Sequence, residues 1–216
     1  SYCYGIEAIN NLGNPAALIG HSLGEYTALC LSGYLDYKDA LKVIAVRGEE
    51  MHKAVENSNT TMAAVLTGDL ETTIEEIEKL NNQGIQIWIS NFNDPSQIVI
   101  SSYIDDMNYL KSNPKALGAK RVIPLEVAGA FHTEIVSSAK KPLEDTLNSI
   151  DISEGKIPVY MNVDAKKVEV STLKENLVNQ IDNSVLFNQQ IEFVNNDIDP
   201  DLWCHIGPGN VTAGMV

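Results

Sequence analysis

The sequence predicts an α/β fold in which a larger layered domain is interrupted by a small insert. Two observations carry this. Ala17-Leu18-Ile19 is a short apolar run that breaks at Gly20-His21-Ser22-Leu23-Gly24 and resumes as a helix over Glu25 to Leu31, as a buried parallel strand feeding a helix does. From Thr61 to Val127 the pattern changes to short segments in the order βαββαβ, after which longer helical and strand-like segments return.

The elements follow in chain order. Tyr2 to Leu12 is helical and precedes the first strand. Gly33 ends the helix over Glu25 to Leu31, and Asp36 caps the next, over about Tyr37 to Asn57. Its apolar stripe includes Ala40, Ile44, Met51 and Val55, and Arg47 falls in the gap within it. In the insert, Met62 to Leu66 is strand-like, Leu70 to Leu80 helical, Ile85 to Ile89 and Gln97 to Ser101 β-rich, Asp105 to Leu110 helical and Arg121 to Val127 strand-like. That is the ferredoxin-like order. Beyond it, Pro142 to Ile150 is a helix, Ile157 to Val163 a strand and Leu173 to Ile181 a helix.

Composition narrows the functional classes. With 216 residues, 44% hydrophobic and 20% charged, the chain is of ordinary globular type, and no apolar run approaches the roughly 18 residues of a membrane helix. A cytoplasmic setting is expected. The formal net charge of −14 argues against nucleic acid and membrane surfaces as partners. Cys3, Cys30 and Cys204 are too few and too scattered for a disulfide framework or a metal site, and read as small buried hydrophobes.

Chemistry concentrates in three places. Gly20-His21-Ser22-Leu23-Gly24 reads as a nucleophile elbow: a sharp turn lifts the Ser22 hydroxyl above the sheet, and flanking glycines let strand and helix approach. The Leu23 amide, at the start of the helix, is positioned to stabilise an oxyanion. His132, in Gly129-Ala130-Phe131-His132-Thr133, supplies the base that a serine nucleophile needs at neutral pH. Asp94, Asp105, Asp106 and Glu126 are the acids that chain order allows for a third triad member. Arg47 on an inner helix face requires an anion, either a protein carboxylate or that of a ligand.

The full string Gly20-His21-Ser22-Leu23-Gly24-Glu25-Tyr26 resembles the active-site motif of malonyl-CoA:acyl carrier protein transacylases and of synthase acyltransferase domains. Val46-Arg47-Gly48, Phe131-His132-Thr133, the run Asn91 to Ser101, Ile157 to Asp164 and Trp203 to Gly209 are similar to further segments of that family. His205 and Asn210 stand where the family usually has glutamate and often lysine. The resemblance implies an α/β-hydrolase-like catalytic domain with a parallel sheet, from residues 1–60 and 128–216, and a ferredoxin-like subdomain at 61–127.

It implies roles as well. Ser22 would be the acyl-carrying nucleophile, His132 its base, Leu23 an oxyanion-hole amide, and Arg47 the cation that holds the malonyl carboxylate. Asn91, Phe131 and His21 would belong to the substrate-binding set, Phe131 being similar to malonyl-type rather than methylmalonyl-type pockets, while His21 helps to shape the elbow. The backbone carbonyl of Gln180 would orient His132, its side chain carrying no role.

The implied reaction moves malonyl from malonyl-CoA to the phosphopantetheine thiol of an acyl carrier protein, for fatty acid synthesis, without a bound cofactor or metal and in a monomer. A polyketide synthase acyltransferase domain, a serine esterase or thioesterase, and a non-catalytic carrier-binding module are the alternatives. Anionic substrates would need a local basic patch on so acidic a chain, with Lys111, Lys115, Lys120, Lys166 and Lys167 as candidates. The family's second oxyanion amide comes from a glycine-rich segment that would lie upstream of residue 1. The sequence is therefore expected to be N-terminally incomplete and, alone, weakly active or inactive.

Overall fold

The computed structural model describes residues 1–216. Helix α1 (Tyr2–Leu12) leads to strand β1 (Leu18–Ile19), then to helices α2 (Leu23–Ser32) and α3 (Tyr37–Val55). The next stretch holds β2 (Thr60–Thr67), α4 (Leu70–Asn82), β3 (Ile87–Asp94), β4 (Gln97–Tyr103), α5 (Ile104–Ser112) and β5 (Ala119–Pro124). It is followed by a 3-10 segment, Glu134–Ala139, then α6 (Lys140–Asn148), β6 (Val159–Tyr160), α7 (Val170–Asn179), β7 (Val185–Leu186) and α8 (Phe187–Ile198).

Two large apolar cores form, with a small third cluster of Val185, Phe187 and Ile191. In the first, Leu29, Val43, Met51 and Val55 from α2 and α3 meet Leu143, Leu147, Leu173 and Leu177 from α6 and α7. The side of α3 that buries Ala40, Val43, Met51 and Val55 also carries Arg47 inward, as its place in the stripe foretold. The side chain of Asp36 caps this helix by accepting from Lys38 N and Asp39 N. The second core lies between the larger sheet and α4 and α5, with Ile98, Ile100, Leu110, Leu117 and Val122 at its centre.

The βαββαβ elements occur in the expected order, and their strands run β5-β2-β4-β3 across an antiparallel sheet. A fifth strand, β7, joins parallel to β3 through Asn91–Val185 and Phe92–Leu186. Two residues carry no readable alternation, so β7 leaves no periodic signal in the sequence.

The expected parallel sheet is reduced to β1 and β6, paired at Leu18–Val159 and Ile19–Tyr160. The run 157–163 stops being a strand early for a local reason. After Tyr160 the next amides turn to other partners, Asn162 N donating to a side chain, Glu25 Oε1, at 2.6 Å.

The cysteine expectation is corrected. Cys30 is half-buried, but Cys3 and Cys204 are exposed, the first on the outer side of α1 and the second in the irregular segment after α8, where no element packs over them.

Candidate active site

Ser22 lies between β1 and α2 with φ 50° and ψ −108°, outside the ordinary basins for a non-glycine residue. The surrounding structure must hold it there. A Cβ on Gly20 would stand 2.1 Å from the backbone carbon of Gly24, so strand and helix approach to a distance that only glycine permits. Gly24 itself faces open space, which corrects the symmetric role expected of the two glycines.

Asn162, just past β6, clamps the turn from its other side. Its Oδ1 accepts from Ser22 N at 2.8 Å and its Nδ2 donates to Gly20 O at 2.6 Å. The Leu23 amide opens α2 and donates to no group of the protein, leaving an N–H at a positive helix end beside Ser22.

His132 comes to Ser22 from 110 residues away, its Nε2 lying 2.8 Å from Ser22 Oγ. Its backbone is also left-handed, with φ 58°. Nδ1 lies 2.8 Å from the carbonyl oxygen of Gln180, just past α7. A carbonyl can only accept, so Nδ1 carries the proton and Nε2 presents its lone pair to the Ser22 hydroxyl. Burial, reinforced by the Arg47 charge, lowers the His132 pKa to about 3, so the imidazole is neutral at pH 7. None of Asp94, Asp105, Asp106 and Glu126 bonds to it, because the Gln180 carbonyl occupies Nδ1.

Arg47 is 7% exposed and pairs with no carboxylate. Its Nε and Nη2 donate to Gln180 Oε1 at 3.2 and 2.9 Å, and Nη2 also donates to Ser22 Oγ at 3.0 Å. The guanidinium carbon lies 5.6 Å from the Tyr26 ring centroid. The alternative of a protein carboxylate on Arg47 is thereby removed, and the charge stands beside the nucleophile.

A cavity of about 410 Å³ opens above Ser22, and His21, Asn91, Phe131 and His132 help to line it. Asn91 is buried on β3, and Phe131 packs on the first core. His21 Nε2 bonds Asn93 Oδ1 at 2.9 Å across from β3, and burial lowers its pKa. Val211, Thr212 and Met215 close one side of the cavity. Of the departures near the C-terminus, His205 lies outside this cavity, beside α1, and Gly207 (φ 145°) and Gly209 (φ 77°) shape the turn there. No group of three histidines, cysteines or acids could hold a metal. Lys167 is engaged with Asp197 at 3.2 Å and is not a free basic group.

The side chain of Gln180 corrects the expectation that only its carbonyl matters. Its Nε2 faces three acceptors: Glu25 Oε2 at 2.5 Å, Ser22 O at 3.0 Å and Asn162 Oδ1 at 3.3 Å. Its Oε1 faces only the guanidinium. Glu25, fully buried on α2, joins the site although nothing assigned it there. Burial pushes its carboxyl up to about 8, opposed by the bonds from Asn162 and Gln180 and by the Arg47 charge. Asn162 and Glu25 both lay within motifs visible in the sequence, without a sign of their contacts.

Among known proteins, the chain is 37% identical over 203 residues to the malonyl CoA-acyl carrier protein transacylase of Bacillus subtilis strain 168, covering 94% of this chain and 64% of that protein. The chain thus spans somewhat less than two thirds of that relative's length. The crystal structure of a Streptococcus pneumoniae protein titled MCAT superimposes with a TM-score of 0.88 at 31% identity, over 99% of this chain and 71% of that one. A malonyl-transacylase solved with a holo type II polyketide synthase acyl carrier protein gives 0.89 at 30% identity, over 98% and 69%. Residues 4–208 match the acyl transferase domain, and the chain belongs to that family.

Proposed function

We propose that this chain carries the catalytic centre of a malonyl transferase, in which Ser22 accepts malonyl from coenzyme A and passes it to the phosphopantetheine thiol of an acyl carrier protein. The observation that carries the reading is the Ser22 hydroxyl held between a neutral imidazole and a buried guanidinium that has no carboxylate of its own. A general hydrolase has no need of the second.

Each step follows from a group in place. His132 Nε2 takes the Ser22 proton as Oγ attacks the thioester carbonyl, and the Leu23 amide donates to the oxyanion. As the C–S bond breaks, the imidazolium returns the proton to the coenzyme A sulfur. The carrier thiol then runs the same steps in reverse. Arg47 takes the free malonyl carboxylate, exchanging its bond to Ser22 Oγ for one to the substrate, and so disfavours acyl groups lacking that charge.

The names of the relatives and the carrier complex of the transacylase above support malonyl and a carrier protein as donor group and acceptor, within fatty acid or polyketide synthesis. A cytoplasmic setting fits, since the exposed thiols of Cys3 and Cys204 suit a reducing compartment. Division of the chain at 61–127 into a closing subdomain belongs to the same reading and is supported by the separate second core.

The test is intact mass after incubation with malonyl-CoA, continued for hours so that slow acylation registers. A malonyl adduct that Ser22→Ala abolishes is expected. Free malonate accumulating without an adduct, or no reaction even in the full-length protein, overturns the reading.

A further inference from the structure

We propose that Glu25 is a positioning residue for substrate choice, which acts through the Gln180 side chain to hold Arg47 in its carboxylate-binding orientation. This rests on the malonyl reading of the site. A primary amide fits its pocket in two ways that differ only by exchange of oxygen and nitrogen, and what decides between them is the set of neighbours. At Gln180 the acceptors, Glu25 Oε2, Ser22 O and Asn162 Oδ1, all lie on one side and the guanidinium on the other. Of the three, Glu25 makes the shortest bond and is the only carboxylate. Its second oxygen is occupied by Asn162 N at 2.6 Å.

Both Glu25 oxygens thus face N–H donors. Burial pushes this carboxyl up to about 8, but a proton on either oxygen would point at an N–H donor, so the bonds in place hold it as the carboxylate. The chain of contacts runs from carboxylate to amide N–H, and from amide oxygen to guanidinium. Glu25 balances the Arg47 charge at one remove, without occupying the fork with a carboxylate as a direct ion pair would. Arg47 therefore stays held, yet able to take an anionic acyl group.

Glu25→Gln keeps the shape and reverses the chemistry. The new side-chain oxygen still accepts from Asn162 N, which turns its NH₂ toward the Gln180 NH₂. Gln180 then inverts and presents N–H groups to Arg47, and the guanidinium is displaced. The measurement is Ser22 acylation by malonyl-CoA and by acetyl-CoA in the complete chain, for Glu25→Gln and for Gln180→Met, which removes the bridge outright. The malonyl-to-acetyl ratio is expected to fall by roughly tenfold in each, through KM for malonyl-CoA rather than kcat.

Equal losses for the two acyl groups, with the ratio unmoved, would mean that Glu25 only supports the fold, and the inference fails. If Glu25→Gln does not fold, the ratio in Gln180→Met decides alone. Absence of a malonyl adduct on the unaltered protein removes the function and this inference together, whereas a Ser22 adduct with an unmoved ratio removes only the inference.

Discussion

Replacing Arg47 by methionine keeps much of the side-chain volume and removes the charge, and so isolates what the guanidinium does for a malonyl substrate. A charge-assisted hydrogen bond contributes about 1.5–3 kcal/mol, and removing one member of a buried ion pair costs about 3–5 kcal/mol because the other is stranded. Arg47 is 7% exposed and reaches the cavity only through Ser22 Oγ, to which it donates, so a value where these ranges meet, about 3 kcal/mol, is appropriate. That corresponds to roughly a hundredfold loss in kcat/KM for malonyl-CoA. Acetyl transfer has no carboxylate to strand. It loses only the Nη2 bond to Ser22 Oγ and the support of Gln180 Oε1, and should change by less than about tenfold. The assay is paired acylation kinetics with the two thioesters, alongside Arg47→Lys, which keeps the charge without the planar fork and should recover only part of the malonyl activity. Equal falls for malonyl and acetyl in Arg47→Met would refute carboxylate recognition by this residue.

The remaining predictions concern the turn and the base. Gly20→Ala forces a Cβ to 2.1 Å from backbone and should cost about 3 kcal/mol or more in denaturant unfolding, or abolish folding. Gly24→Ala meets nothing within 4 Å in a helical position and should be neutral or stabilising by up to about 1 kcal/mol; similar costs at both sites would contradict the one-sided approach described. His132 titrates near 6.5 when unfolded and at about 3 when folded, so the unfolded chain takes the extra proton first as pH falls. Its contribution to stability is complete above pH 6.5 and lost progressively as pH drops toward 3. In the folded chain the base is neutral well above pH 3, so single-turnover acylation should be flat between about pH 5 and about pH 7. A step centred near 6.5 would show that the imidazole is not buried as described.

The parts of this site that could be read in the sequence are those whose requirements are local. A strained turn between strand and helix calls for glycine near serine, and Gly20-His21-Ser22-Leu23-Gly24 states that within five residues. His132 and Arg47 became legible through short strings around them. The Gln180 carbonyl was legible in the same way, but Glu25, Asn162 and the Gln180 side chain were not, because what they do depends on partners 133 to 158 residues away and on which side of an amide faces a donor. No periodicity carries that information. The strand β7 escaped for a different reason, since two residues cannot show alternation.

Glu25 nonetheless left a trace. The criterion that singled out Arg47 was a charge on a buried helical stripe. Helix α2 buries Tyr26, Ala28, Leu29 and Ser32, and Glu25 stands at the head of that stripe, three residues before Ala28 and four before Leu29. An ionisable group there has the same unmet need as Arg47, with the opposite sign. Two buried charges of opposite sign on successive helices, each lacking a partner on its own element, imply that something joins them. In this fold the joining group is the Gln180 amide, which bonds to both and leaves the cation free to receive a third.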